Sequence, residues 1–331
     1  MKKILNAPDR YVDEMLDGLV AAHPDIYTLA GHRVVTRAGS KREGKVGIVS
    51  GGGSGHLPIF TGYVGRGLLD GCAIGNVFAS PSADQMAHTI RAVDAGAGVL
   101  CLYGNYGGDV MNFDMAREMV HFEDSIHTTS VVLADDVVSA SRAERGKRRG
   151  VGGMVYAFKI AGAAAEGMAD LAEITRLAQK AADNVVSIGI ALTPCVIPQL
   201  GKPTFTIADD EMEMGMGIHG EPGLKREKIR TADEIADEMF AALQSDRPLR
   251  SGDRVSLLVN SLGATPLEEL YILYRRLAPK VADLGAEIVM PLVGRFATSM
   301  EMTGATLSIL RLDDELEALL RAPAHCAFWS V

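Results

Sequence analysis

Cysteine is scarce in this 331-residue chain, with only Cys72, Cys101, Cys195 and Cys326 present. No two of them have the short spacing of a zinc site or a redox pair, so four reduced thiols in a cytoplasmic protein are expected. Aromatic residues make up 5% of the chain and include a single tryptophan. Positive charge is also short: 33 Lys and Arg stand against 42 Asp and Glu, a net charge of −9. No general basic field exists to attract a phosphate backbone, and a nucleic-acid partner is not expected. Long hydrophobic runs are missing, because none approaches the ~18 apolar residues of a membrane span. The start, Met1-Lys2-Lys3-Ile4-Leu5, has the charge of a leader, yet Asn6, Pro8, Asp9 and Arg10 interrupt it before an apolar region develops.

Glycine is abundant, at 36 residues, about 11% against a usual ~7%. The length implies about two domains. Tyr11, Val12, Met15, Leu16, Leu19 and Val20 recur at helical spacing and predict an opening helix over 8–22. Residues 45–50 read as a buried strand that runs into Gly51-Gly52-Gly53-Ser54-Gly55-His56. Residues 98–103 read as a second strand, followed by Gly104-Asn105-Tyr106-Gly107-Gly108-Asp109 and a helix to about Val120. A strand over 128–134 and two Ala-rich helices over 151–182, broken near Gly167, complete a first domain placed at 1–185. The second domain, 186–331, repeats the alternation: strands near 187–192, 254–260, 287–292 and 306–312, with helices over 232–243 and 266–284 and a short closing helix. The expected fold is α/β, two domains packed together, each a central sheet flanked by helices, with mainly parallel βαβ units. In such sheets ligands gather at the carboxyl ends of strands.

Three glycine runs compete for a ligand role. Gly39 to Lys45 has nucleotide P-loop spacing but is followed by Val46 and precedes a strand, so an exposed turn is expected. Gly215-Met216-Gly217-Ile218-His219-Gly220 matches the dinucleotide fingerprint, but Glu221-Pro222-Gly223 follows, where a helix cannot readily continue. The run ending in His56 sits after a strand and reads as a loop whose backbone can approach a ligand closely. Asp109 lies in a similar strand-end loop, and a parallel sheet could bring it beside His56. His219, held among glycines, can face a ligand, and its neutral imidazole can add to a carbonyl. His23, His32, His88, His121 and His127 read as surface or packing residues, and His325-Cys326 as packing of the C-terminal tail. No metal site is expected.

These stretches together resemble the K subunit of dihydroxyacetone kinase. The matching residues are SGGGSGH at 50–56, Asn105-Tyr106 with Asp109 and Asn112-Phe113, Arg148-Arg149-Gly150, SIGIAL at 187–192, Gly201-Lys202-Pro203 with Phe205, and 211–223 containing GIHGEPG. SGDRV at 251–255, 260–271 and 298–304 extend the match over nearly the whole length. The resemblance implies a cytoplasmic, homodimeric ketose-binding subunit. Its His219 captures the substrate carbonyl as a covalent hemiaminal, and His56 and Asp109 bind the substrate and move its protons. Gly53, Ser54, Gly55 and Gly104 stand at substrate-contacting positions. It further implies that this chain binds no cofactor, since ATP or ADP with magnesium sits on a partner, the nucleotide-binding L subunit.

The chain departs from the family at two positions. Leu57 replaces a frequent glutamate, and Gly104 a lysine, whose loss is expected to open space for a larger ketose such as erythrulose or apulose. Two further readings are a non-catalytic ketose-sensing paralogue and a nicotinamide-dependent dehydrogenase. Retention of His56 and Asp109 weighs against the first, and Pro222 against the second.

Overall fold

Alternating apolar positions in the strands each find a different core. In the computed structural model, which describes residues 2–39 and 41–331, a 3₁₀ turn at Pro8–Arg10 leads into α1 (Tyr11–Ala22). β1 (Tyr27–Gly31), β2 (Val34–Arg37), β3 (Gly47–Ser54) and β4 (Gly71–Val77) follow. Next come α2 (Ala83–Val93), β5 (Val99–Gly104), α3 (Gly107–Asp124) and β6 (Thr128–Leu133). These strands form one sheet in the order β1-β2-β4-β3-β5-β6, parallel from β4 to β6 with an antiparallel edge at β1 and β2. α2 starts on a capping box, Ser82 with Gln85, a signal present in the sequence but unread above.

α4 (Gly153–Glu166) and α5 (Leu171–Asn184) then cross to the second half. There β7 (Val185–Thr193), β8 (Val196–Ile197), β9 (Lys202–Pro203), β10 (Glu211–Met214) and β11 (Lys225–Lys228) precede α6 (Ala232–Asp246). β12 (Arg254–Ser261), α7 (Leu267–Asp283), β13 (Glu287–Gly294), β14 (Thr303–Leu312) and α8 (Asp314–Arg321) close the chain. The second sheet runs β11-β10-β7-β14-β12-β13. It is antiparallel except for β12 with β13, which corrects the expectation of mainly parallel units there. A strand buried on both faces reads as the same apolar run whichever way its neighbours point, so direction was invisible in the sequence.

The elements stack in five layers. α2 and α3 cover the outer face of the first sheet, α6 and α7 the outer face of the second, and α4 and α5 lie between the sheets and pack against both. Val99, Cys101 and Tyr103 point into the outer core under α2 and α3, whereas Leu100 and Leu102 point into the central core. Leu257 and Leu258 divide in the same way between the outer core of the second sheet and the central one. The period of two is that of a pleated strand covered on both sides.

The glycine run is the largest local surprise. β3 continues through Gly51, Gly52 and Gly53 to Ser54, paired with β4 and fully buried, so these residues are strand and not the expected loop. Among them only Gly55 turns left-handed, at φ +102°. The P-loop-like run at 39–45 includes Ser40, which lies outside the described residues.

Candidate active site

Three segments from different parts of the chain converge at one place. His56 follows the end of β3, and Asp109 sits in the first turn of α3, just beyond the end of the adjacent parallel strand β5. His219 comes from the second sheet, on the loop between β10 and β11. The His56 and His219 rings stand 4.7 Å apart between centroids at 83°.

His56 is 1% exposed. Its Nδ1–H donates to the Thr298 carbonyl at 2.6 Å, so Nε2 carries the lone pair, and Nε2 is buried with no hydrogen-bond partner. Burial, together with the nearby charge of His219, pushes its pKa down to about 3, against the hydrogen bond to Thr298 and the charge of Glu221. His56 is therefore a neutral hydrogen-bond acceptor at physiological pH.

His219 is held by its near neighbour Glu221. The carboxylate accepts from His219 Nδ1–H at 2.8 Å and from the His219 backbone N–H at 2.9 Å. Burial would raise the Glu221 carboxyl, but the hydrogen bond and charge of His219 outweigh it and hold it down at about 2. An ionised Glu221 fixes the imidazole tautomer and leaves the lone pair on Nε2. Arg149 steadies the loop, donating to the Gly215 carbonyl at 3.0 Å and to Asp136. A Cβ on Gly217 would overlap the Glu221 carboxylate and lie 2.6 Å from Arg149, so the glycine makes this clamp possible.

Asp109 is 5% exposed, and its Oδ1 is buried without a partner. Burial raises its pKa to about 6, against the hydrogen bond from Ser80 and the charge of His219. It is a carboxylate poised to exchange a proton near neutrality. Tyr106 stands edge-on to His219 at 4.6 Å and anchors its hydroxyl on the Gly150 carbonyl at 2.9 Å.

The structure therefore brings His56, Asp109 and His219 together and seats Gly53, Ser54 and Gly55 in the segment beneath them. Gly104 does not open space: a Cβ there would lie 3.0 Å from the Tyr106 ring and 3.2 Å from Met154 Sδ, which already fill the position. Leu57 lines a cavity of about 410 Å³ with Tyr11, Met15 and Met300, which also reaches Ser54, Gly55 and Thr298. His325 bonds Ser330 within the C-terminal tail, away from the cluster. Sequence reasoning missed Glu221, Phe78 and Tyr106. Glu221 was visible as an acid two residues after His219, and it entered the sequence reading only as part of a helix-breaking run and of the GIHGEPG match, without a role of its own.

No group of three or more His, Cys, Asp or Glu suited to a metal occurs among the described residues. None of the described helices is long and apolar enough to cross a membrane.

Two packed α/β sheets with an imidazole pair and a buried carboxylate at their junction define the class, and the Dak1 domain profile matches residues 17–328. The chain belongs to the Dak1 domain family. It is 45% identical to the dihydroxyacetone-binding subunit DhaK of the PTS-dependent dihydroxyacetone kinase 1 of Listeria innocua, covering 99% of this chain and 100% of that one. It is 42% identical to the L-erythrulose 1-kinase of Mycolicibacterium smegmatis, over 98% of this chain but only 57% of that enzyme. Among solved structures, the dihydroxyacetone kinase operon co-activator DhaQ superposes with a TM-score of 0.88 at 32% identity, covering 94% of this chain and 96% of that one.

Proposed function

We propose that this chain is the ketose-binding subunit of a kinase. It captures the substrate carbonyl on His219 and presents a terminal hydroxyl for phosphorylation by a separate nucleotide-binding subunit. The observation that carries the reading is the His219–Glu221 pair at 2.8 Å, which frees Nε2 beside a second buried imidazole and a buried carboxylate. The full-length match to a dihydroxyacetone-binding subunit supports it, as does the match to only 57% of a longer erythrulose kinase, which leaves room there for a further module.

In this scheme the Nε2 lone pair of His219 adds to the carbonyl carbon, and the C=O π pair moves to oxygen. The oxygen takes a proton from solvent, and the imidazolium created is neutralised by Glu221. The covalent bond fixes a small, flexible substrate before the second step. Ionised Asp109 then takes the proton of the terminal hydroxyl as its oxygen attacks phosphorus, while the His56 Nε2 lone pair orients that hydroxyl. The phosphoryl group comes from a magnesium nucleotide on the partner, replenished either by exchange or by a phosphotransferase relay. The chain acts as a homodimer that binds no nucleotide or metal of its own.

Three-carbon and four-carbon ketoses remain competing substrates, since the relatives include both classes of kinase. Intact-protein mass spectrometry after incubation with dihydroxyacetone and with each erythrulose enantiomer decides. An adduct mapping to His219 is expected, and its preference selects the substrate; no adduct with any of them overturns the mechanism. A second reading, a ketose sensor acting through a transcription partner, is favoured by the likeness to the DhaQ co-activator. It predicts an adduct without phosphoryl transfer when the nucleotide-binding subunit is supplied.

A further inference from the structure

Two phenylalanines beside His56 adopt a backbone that L side chains rarely tolerate. Phe60 has φ +71° and Phe78 φ +57°. Both pack on the glycine run of β3. A Cβ on Gly52 would overlap the Phe60 ring, and one on Gly53 would lie 2.6 Å from the Ala79 nitrogen and 2.7 Å from Phe78 Cα. One on Gly55 would lie 2.7 Å from Phe78 Cε1. The Phe78 backbone N–H also donates to the Ser54 carbonyl at 2.9 Å, which ties its turn to the end of β3. The glycines thus serve as a seat for aromatic rings.

The rings reach both imidazoles. Phe78 stacks on His56 at 4.8 Å and 25°, and meets His219 edge-on at 5.4 Å and 79°. Phe60 meets His56 edge-on at 6.3 Å. His56 itself has one ring hydrogen bond, to Thr298, and a single bond leaves the ring free to tilt about it. A flat apolar face removes that freedom.

We propose that Phe78 is a positioning residue: seated by Gly53 and Gly55, its ring sets the tilt of the His56 imidazole against His219 and keeps water from His56 Nε2. The proposal deepens the kinase reading and rests on it for the role of His56. It agrees with burial being the main cause of the low pKa of His56, because the charged or titratable groups that act on it, His219 and Glu221, pull in opposite directions.

The test uses Phe78→Gly, which removes the ring and suits the left-handed backbone, and Phe78→Leu, which keeps apolar bulk without a flat face. Phe78→Tyr restores the face. The protonation of His56 is read by NMR of the full chain without substrate, and turnover is read with the nucleotide-binding subunit. In the natural chain the His56 ring stays neutral at pH 5. In Phe78→Gly its midpoint climbs toward the ordinary value of about 6.5, with Phe78→Leu between the two and Phe78→Tyr close to the natural chain. Turnover falls about a hundredfold in Phe78→Gly, in kcat more than in KM. If Phe78→Gly does not fold, Phe78→Leu carries the comparison. A His56 ring still neutral at pH 5 in the folded variants, with turnover within about twofold of the natural chain, overturns the proposal. Failure of the natural chain to form a ketose adduct would instead sink the kinase reading, and the substrate-free titration would still judge Phe78.

Discussion

Glu221 Oε1 accepts from His219 Nδ1 at 2.8 Å, and its second oxygen accepts from the backbone N–H of the same histidine at 2.9 Å. One carboxylate thus fixes the ring's tautomer and its position together, and Nε2 is left with its lone pair, the atom proposed to attack the ketose carbonyl. Glu221→Gln keeps an oxygen acceptor for Nδ1–H but removes the charge that neutralises the imidazolium. Adduct formation at His219 is expected to slow by about tenfold in Glu221→Gln, and by more in Glu221→Ala, where the tautomer is also released. Time-resolved intact-mass measurements give both rates, and equal rates in all three proteins would remove Glu221 from the mechanism.

In the proposed mechanism His219 and Asp109 act in separable steps, so their variants should fail differently. His219→Ala is expected to form no ketose adduct at all. Asp109→Asn keeps the adduct and loses phosphoryl transfer by about 10² to 10⁴. The same mass measurement, run beside a turnover assay with the nucleotide-binding subunit, distinguishes the two; near-normal turnover in Asp109→Asn would show that another group is the base.

Because burial raises Asp109 to about 6, the proposed base is mostly ionised only above that pH. The acid limb of kcat is expected to have its midpoint near 6 and to flatten above about 7. His56, held near 3, contributes no inflection in this range. An acid limb centred near 4 would mean that Asp109 carries an ordinary carboxylate pKa and that its burial is relieved in solution.

How much of this was legible follows from which interactions are local. The strand start near 47, the helix around Asp109 and the paired helices around Gly167 are encoded by neighbouring residues and appear in the fold close to the expected places, whereas the strand expected over 45–50 runs on through the glycines to Ser54. His56 and Asp109 could be joined because β3 and β5 are adjacent and parallel. The antiparallel second sheet could not be read, because β7, β14 and β12 pair across long stretches of chain. Nor could the reason for the glycines: the rings they seat, Phe60 and Phe78, lie beyond the run in sequence, and only the fold brings them back onto it. The filling of the Gly104 position by Tyr106 and Met154 was hidden for the same reason.

Asp109 also costs stability. Its folded pKa lies above the ordinary aspartate value of 3.8, so the ionised form is disfavoured in the native state. That cost is fully present above about pH 6, shrinks as pH falls toward 3.8, and is absent below it. Asp109→Asn, neutral at every pH, is expected to raise the unfolding free energy by roughly 3 kcal/mol at pH 8 and by only about 0.5 kcal/mol at pH 4. Denaturant titrations at the two pH values check it, and a gain that is independent of pH would assign the effect to packing.

Gly52 and Gly18 make the opposite test of what glycine does in this chain. A Cβ on Gly52 would overlap the Phe60 ring inside the buried β3, so Gly52→Ala must displace a ring that also touches His56. It is expected to cost about 1 to 3 kcal/mol, as overpacking does, and to lower turnover as well. Gly18 lies within α1, where nothing stands within 4 Å of an added Cβ. Gly18→Ala removes backbone freedom from the unfolded chain without strain and is expected to stabilise by about 0.5 to 1 kcal/mol, leaving turnover unchanged. Urea unfolding of both variants measures the contrast. If Gly52→Ala were as well tolerated as Gly18→Ala, the seat for the Phe60 ring would be looser than the fold implies.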